Sequence, residues 1–187
     1  MTRTPTLAAL AALAGIAACT GPEPRVATPI TVLEERVAVR YRAIELLEVS
    51  LPAYAAAEGI AVEGGGIIET SDDVLWDDDP TRGVTLTLAR HLTAVTGARI
   101  APEPWPFDTY PEARVDVRIE QLLATDAGIY RMAGQYFVAP LDGRGPDRAA
   151  LFALEAPLAS DSAQAIVVSR DALVAELALL IAREGLR

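Results

Sequence analysis

Lysine is absent from this chain, and cysteine and histidine occur once each. A single cysteine excludes an intrachain disulfide and any cysteine-based metal cluster, and a single histidine excludes a histidine-rich metal site. Aromatic residues make up only 5% of the sequence. Positive charge is scarce: 16 basic residues, all arginine, face 26 acidic ones, for a net charge of −10 and an isoelectric point near 4.6. Such a surface repels phosphate backbones and anionic lipid alike, so no nucleic-acid partner and no purely electrostatic membrane adhesion is expected. What is present is a foldable composition, 51% hydrophobic and 22% charged. The 187 residues are enough for one ordinary domain and a leader, and too few for two domains with separate cores.

The first residues carry the sharpest signal. Arg3 supplies a positive start, and Leu7 to Ala18 is an apolar run of about a dozen residues. As a helix it rises about 18 Å at roughly 1.5 Å per residue, well short of the roughly 30 Å needed to cross a bilayer. It therefore reads as the core of a signal peptide, residues 1–18, and not as a membrane span. The run ends Ile16, Ala17, Ala18, Cys19. Small residues let the chain enter a peptidase groove in extended form, and the cysteine sulfur is the atom that takes up lipid. This quartet resembles a bacterial lipobox. The resemblance implies a diacylglycerol on Cys19, cleavage between Ala18 and Cys19, and an acyl chain on the new N-terminus. Two or more chains give stable anchoring where one does not. Thr20, not aspartate, follows the cysteine, which on enteric rules implies the outer membrane, with the domain on its periplasmic face.

Residues 19–34 read as a lipidated tether. Pro22, Pro24 and Pro29 keep it from forming a helix, and its reach is on the order of 45 Å at roughly 3.1 Å per residue. Residues 35–187 read as one folded domain. Charge and apolar residues alternate from Arg36 to Arg42, which predicts a strand continuing toward Val49. A glycine turn at Gly64 to Gly66 leads into a short strand at Ile67 to Glu69. Asp79 as N-cap and Pro80 at the first helical position predict a helix, sustained by Val84, Leu88, Leu92 and Val95 and stopped by Gly97. Val115, Val117 and Ile119 alternate with charges, which predicts a strand of an antiparallel sheet with one wet face. Tyr130 to Ala139 pairs back on it, Leu151 to Ala156 adds another strand, and a helix spans roughly Asp161 to Glu184. The expected fold is α+β: a mainly antiparallel sheet with two long helices on one face.

Candidate chemistry is thin. His91 borders the apolar stripe of the first helix, with no cysteine nucleophile left and no Gly-x-Ser-x-Gly elbow to serve. Asp72, Asp73, Asp77, Asp78 and Asp79 cluster about Trp76, but their spacing is not that of a calcium loop; Asp77 to Asp79 instead sit at the positive end of a helix. The glycine triplet opens into a strand, with no lysine near it, so it is a turn and not a phosphate loop. Trp76 and Trp105 both read as loop residues, either core lids or interface anchors. No constellation points to an enzyme, and no metal or free cofactor is expected.

The lipobox, then Leu51-Pro52 and Tyr54 closing the first strand, the glycine stretch with Ile67 and Ile68, a lone Trp76 before the helix from Thr81 to Thr96, a hairpin and a C-terminal helix rich in alanine and leucine together resemble the PqiC family of ABC-type transport auxiliary lipoproteins. Ala55 and the run Asp77 to Pro80 depart from the family pattern. The resemblance implies the outer-membrane lipoprotein of an MCE-type system that moves lipid between membranes. Its partners would be a periplasmic MCE-domain protein and that protein's inner-membrane partner. It further implies a homo-oligomer, and Pro52, Tyr54, Trp76 and Trp105 as interface residues. A rival reading is an envelope lipoprotein that activates a cell-wall synthase or assists outer-membrane assembly, since a fold does not fix a function.

Overall fold

The computed structural model describes residues 23–141, 143 and 145–187. Eight strands form one mixed sheet: β1 (Arg25–Val26), β2 (Ala43–Leu46), β3 (Gly59–Gly64), β4 (Ile67–Trp76), β5 (Arg99–Pro102), β6 (Ala113–Thr125), β7 (Ile129–Pro140) and β8 (Arg148–Pro157). Two helices join them, α1 (Pro80–Thr96) and α2 (Ala163–Leu180), the second ending in a wide turn over Ile181–Gly185. The class is α+β, as the sequence predicts.

The axis of the sheet is β6, the long alternating strand. Val115, Val117 and Ile119 are buried, while Arg114, Arg118 and Glu120 face water. β7 pairs antiparallel along its whole length, and β8 pairs antiparallel with β7. On the other edge of β6 lie two short parallel partners: β2 beside Ala113 to Val115, and β3 beside Ala124 and Thr125. β3 turns back antiparallel into β4. β2 carries β5, and β4 carries β1, both parallel. The sheet is therefore more mixed than expected, because short segments far apart in the chain complete its second edge. Gly134 marks the one bulge in the β6–β7 ladder. A β-carbon there would lie 2.2 Å from the Arg118 carbonyl oxygen, so only glycine fits.

Helix α1 begins and ends where its capping residues dictate. The Asp79 carboxylate accepts from the Arg82 amide at 2.8 Å, and Gly97 takes the left-handed conformation at φ 68°. Val84, Leu88, Leu92 and Val95 are buried. Helix α2 is buried on almost every side, with Val167, Leu173, Val174, Leu177 and Ala178 packed between α1 and the sheet.

Three expectations need correction. Arg36 to Arg42 is not a strand. Its alternation faces the helices instead: the Val37 amide donates to the Val95 carbonyl and the Arg40 amide to the Leu186 carbonyl, so those bonds tie the segment to helix ends. The strand expected at Ile67 to Glu69 runs on to Trp76, and Trp76 is not in a loop. The folded body begins near Arg25 and not at residue 35. β1 pairs with β4, Val26 is buried, and the stretch to Leu33 lies as a strap across α1 and α2. Cys19, the Ala18–Cys19 bond and the side chain of Asp72 lie outside the described residues.

Candidate functional site

Two groups of side chains stand out. The first joins the strap to the helices, running from exposed Asp77 inward to buried Arg170, Asp171 and His91. Thr28 donates to Asp77 through both its amide (2.7 Å) and its hydroxyl (2.8 Å). Arg170 donates to the Thr28 hydroxyl oxygen at 3.0 Å, and its guanidinium carbon lies over Trp76, 3.8 Å from the ring centre. Next along α2, Asp171 accepts from the Thr31 hydroxyl and sits 3.3 Å from Nε2 of His91 on α1. His91, Arg170 and Asp171 are all buried, and no described buried side-chain polar atom lacks a partner.

Electrostatics follow from this packing. Burial pushes the Asp171 carboxyl up, but hydrogen bonds from His91 and Thr31 outweigh it and hold its pKa below the usual carboxylate range. The same contest at Asp77 ends the same way, through the two Thr28 bonds and the charge of Arg170. Burial lowers the pKa of Arg170, offset in part by Tyr130, Asp77 and Asp171. A closed, satisfied network of this kind rigidifies a core. It offers no reacting group to a substrate, since His91 is 1% exposed. Asp171 and Arg170 were missed by the sequence reading, although the signal existed: both stand within one turn of Val167 and Val174, on the apolar face of a helix.

The open group lies in the loop between β5 and β6. Trp105 packs edge-on against Phe107 with ring centres 4.9 Å apart, and its indole N–H donates to the Thr109 carbonyl at 2.5 Å. Arg99 lies over the outer side of Phe107, 5.0 Å from the ring centre. Together with Tyr110, Pro111 and Leu141 these rings line a cleft of about 530 Å³, floored by the ion pair of Glu45 and Arg114 at 2.8 Å. Phe107 is 42% exposed and Tyr110 93%. A loop that presents apolar rings to water around a charged floor has the make-up of a protein-contact surface.

Four residues were expected at an interface, and the structure separates them. Trp105 is in the cleft. Trp76 is core, 4% exposed, because it ends β4 beneath Arg170 instead of lying in a loop. Tyr54 is half-buried and accepts from the Leu122 amide at 3.3 Å, and the Pro52 carbonyl closes a turn with the amides of Ala55 and Ala56. Tyr54 thereby ties the loop between β2 and β3 to β6. Of the acidic group, Asp79 caps α1, Asp78 pairs with Arg82, and Asp77 holds the strap. Among the described residues no acidic group is arranged to hold a metal ion.

The element order, the glycine hairpin and the helix after Trp76 lie within residues 26–182, which match the family model of the ABC-type transport auxiliary lipoprotein component. The chain belongs to that family. Its fold recurs in solved structures. An uncharacterised protein superposes with a TM-score of 0.68 at 18% identity, over 81% of this chain and 99% of its own. A DUF330 protein from Xanthomonas campestris superposes at 0.63 and 10% identity, over 84% and 91%. A PelC dodecamer from Paraburkholderia phytofirmans gives 0.47 at 10% identity, over 80% and 93%. No curated protein matches this chain. Among its described residues the transport auxiliary lipoprotein has no helix long and apolar enough to cross a membrane.

Proposed function

We propose that this transport auxiliary lipoprotein is the outer-membrane subunit of an MCE-type intermembrane lipid transport system. Anchored by lipid on Cys19, it docks the periplasmic MCE assembly and so supports envelope integrity. It works by binding and not by catalysis, as a homo-oligomer. The observation that carries this reading, with family membership, is polarity. The aromatic cleft stands at the Ala113 end of β6, and β1 runs beside β4 from the side of its Ile67 end, which lies beyond Thr125. β6 separates the two ends by about 40 Å at roughly 3.3 Å per residue. A protein held at one end with exposed rings at the other is suited to catch a partner that approaches from the periplasm.

The test is affinity purification of the full-length lipidated protein from detergent-solubilised envelopes, followed by mass spectrometry. An MCE-domain protein should be recovered with its inner-membrane partner. Recovery of a cell-wall synthase or an outer-membrane assembly machine without any MCE protein would overturn the reading. The variant Tyr110→Ser should weaken partner capture while melting unchanged, because exposed substitutions cost within about 0.5 kcal/mol. Cys19→Ala should leave the leader uncleaved by the lipoprotein peptidase and the protein without lipid; normal maturation of that variant would refute the lipobox.

A further inference from the structure

The β3–β4 hairpin reaches well past the body that supports its base. Gly59, Ile60 and Ala61 are buried, but every described side chain from Gly64 to Asp73 is exposed, on both faces of the ribbon. A two-stranded ribbon with both faces in water is marginal by itself. Its tip nonetheless carries three exposed apolar side chains, Val62 (37%), Ile67 (65%) and Ile68 (41%), around the turn at Gly65 and Gly66. Neighbouring residues of a strand point to opposite faces. Ile67 and Ile68 therefore wrap the tip with apolar surface instead of forming a stripe on one side. That geometry suits end-on entry into an apolar medium better than lateral contact with a flat protein surface.

The direction of the chain says which medium. β1 runs parallel to β4, with Arg25 beside Leu75 and Val26 beside Trp76. Pro24, whose carbonyl accepts from the Leu75 amide at 2.9 Å, thus enters β1 from the side of Ile67. From Arg25 back to Cys19 it can span at most about 20 Å at roughly 3.3 Å per residue. Along β4, Ile67 lies about 26 Å from Leu75 on the same scale. Because the strap from Arg25 to Leu33 is fastened to the body, the long tether that would have kept the domain clear of the bilayer is not available. A lipid on Cys19 brings the tip to the membrane surface.

We propose that the hairpin tip, through Val62, Ile67 and Ile68, enters the headgroup region of the leaflet that holds the lipid on Cys19, and so sets the domain upright. The inference rests on the lipid-anchor reading. Glu63, Glu69 and Asp126 surround the tip, the last accepting from the Gly65 amide at 3.3 Å. They stop it at the interface and select a zwitterionic surface over an anionic one.

Transfer of diacylglycerol to the Cys19 sulfur, as a thioether, consumes the chain's only thiol, so Ile68→Cys carries a single reporter site. The full-length lipidated variant is labelled with an environment-sensitive fluorophore and bound to vesicles of phosphatidylethanolamine and phosphatidylcholine with brominated chains. Fluorescence should be lost at Ile68→Cys, and equally at Ile67→Cys, and retained at Tyr110→Cys at the far end. Flotation of the vesicles and the mass of the N-terminal peptide read the anchor separately. A floated, acylated protein whose residue-68 label keeps its fluorescence overturns the hairpin contact and leaves the anchor standing; equal loss at residue 110 overturns the upright pose. A protein that does not float, or carries no lipid, overturns both.

Discussion

Trp76→Ala should lower the melting temperature by about 6–20 °C, from a loss of roughly 3–5 kcal/mol for a buried large aromatic and about 2–4 °C per kcal/mol in a chain of this size. The ring ends β4 with 4% of its surface exposed, next to buried Val26 and Leu75. Its outer face is covered by the guanidinium of Arg170 at 3.8 Å. Truncation therefore opens a cavity and strips a desolvated cation of the face it stacks on, a contact worth about 2 kcal/mol when water is excluded. Thermal unfolding checks it directly. A variant that melts within a degree or two of the parent yet loses its partner would return Trp76 to the surface.

Asp171→Ala should cost about 1–3 kcal/mol, because it leaves buried His91 without its hydrogen-bond partner and unties Thr31. Asp171 is 1% exposed and holds two groups at once, His91 of α1 and Thr31 of the strap. Removing it leaves a buried imidazole and a hydroxyl without their acceptor, and frees the strap. Limited proteolysis between Arg25 and Leu33 should become fast in the variant, well below its melting temperature. Asp171→Asn keeps the shape and should fall between the two. Acid supplies an independent check. The folded pKa of Asp171 is depressed, so its contribution is fully present above the unfolded value of about 3.9 and is lost as pH falls through the folded one. The alanine variant should lack that part of the acid sensitivity. An unchanged acid profile and an uncut strap would refute the network.

How far the chain could be read from its sequence depended on the range of the forces involved. Helix α1 was legible because Asp79, Pro80 and Gly97 act on the backbone within a turn of themselves. β6 and β7 were legible because alternation over a long strand between one wet and one buried face leaves a clear period. Arg36 to Arg42 shows the limit of that signal. The same alternation packs equally well against helix ends, and nothing local distinguishes the two. The cleft was half legible: Trp105 stood out by type, but its grouping with Leu141 and with the Glu45–Arg114 pair depends on β2 reaching the start of β6.

By itself the sequence determined the class of fold, the capped helix and the long central strands. All of these are written in neighbouring residues, through capping and periodicity. Only the tertiary structure decided that β1, β2 and β5 pair in parallel, that residues 25–33 form a strap, that Trp76 is core beneath Arg170, and that Asp171 meets His91. Those contacts join segments far apart in the chain. A two-residue strand or a single buried carboxylate has no pattern of its own, and gains its energy only once the rest of the fold has excluded water around it.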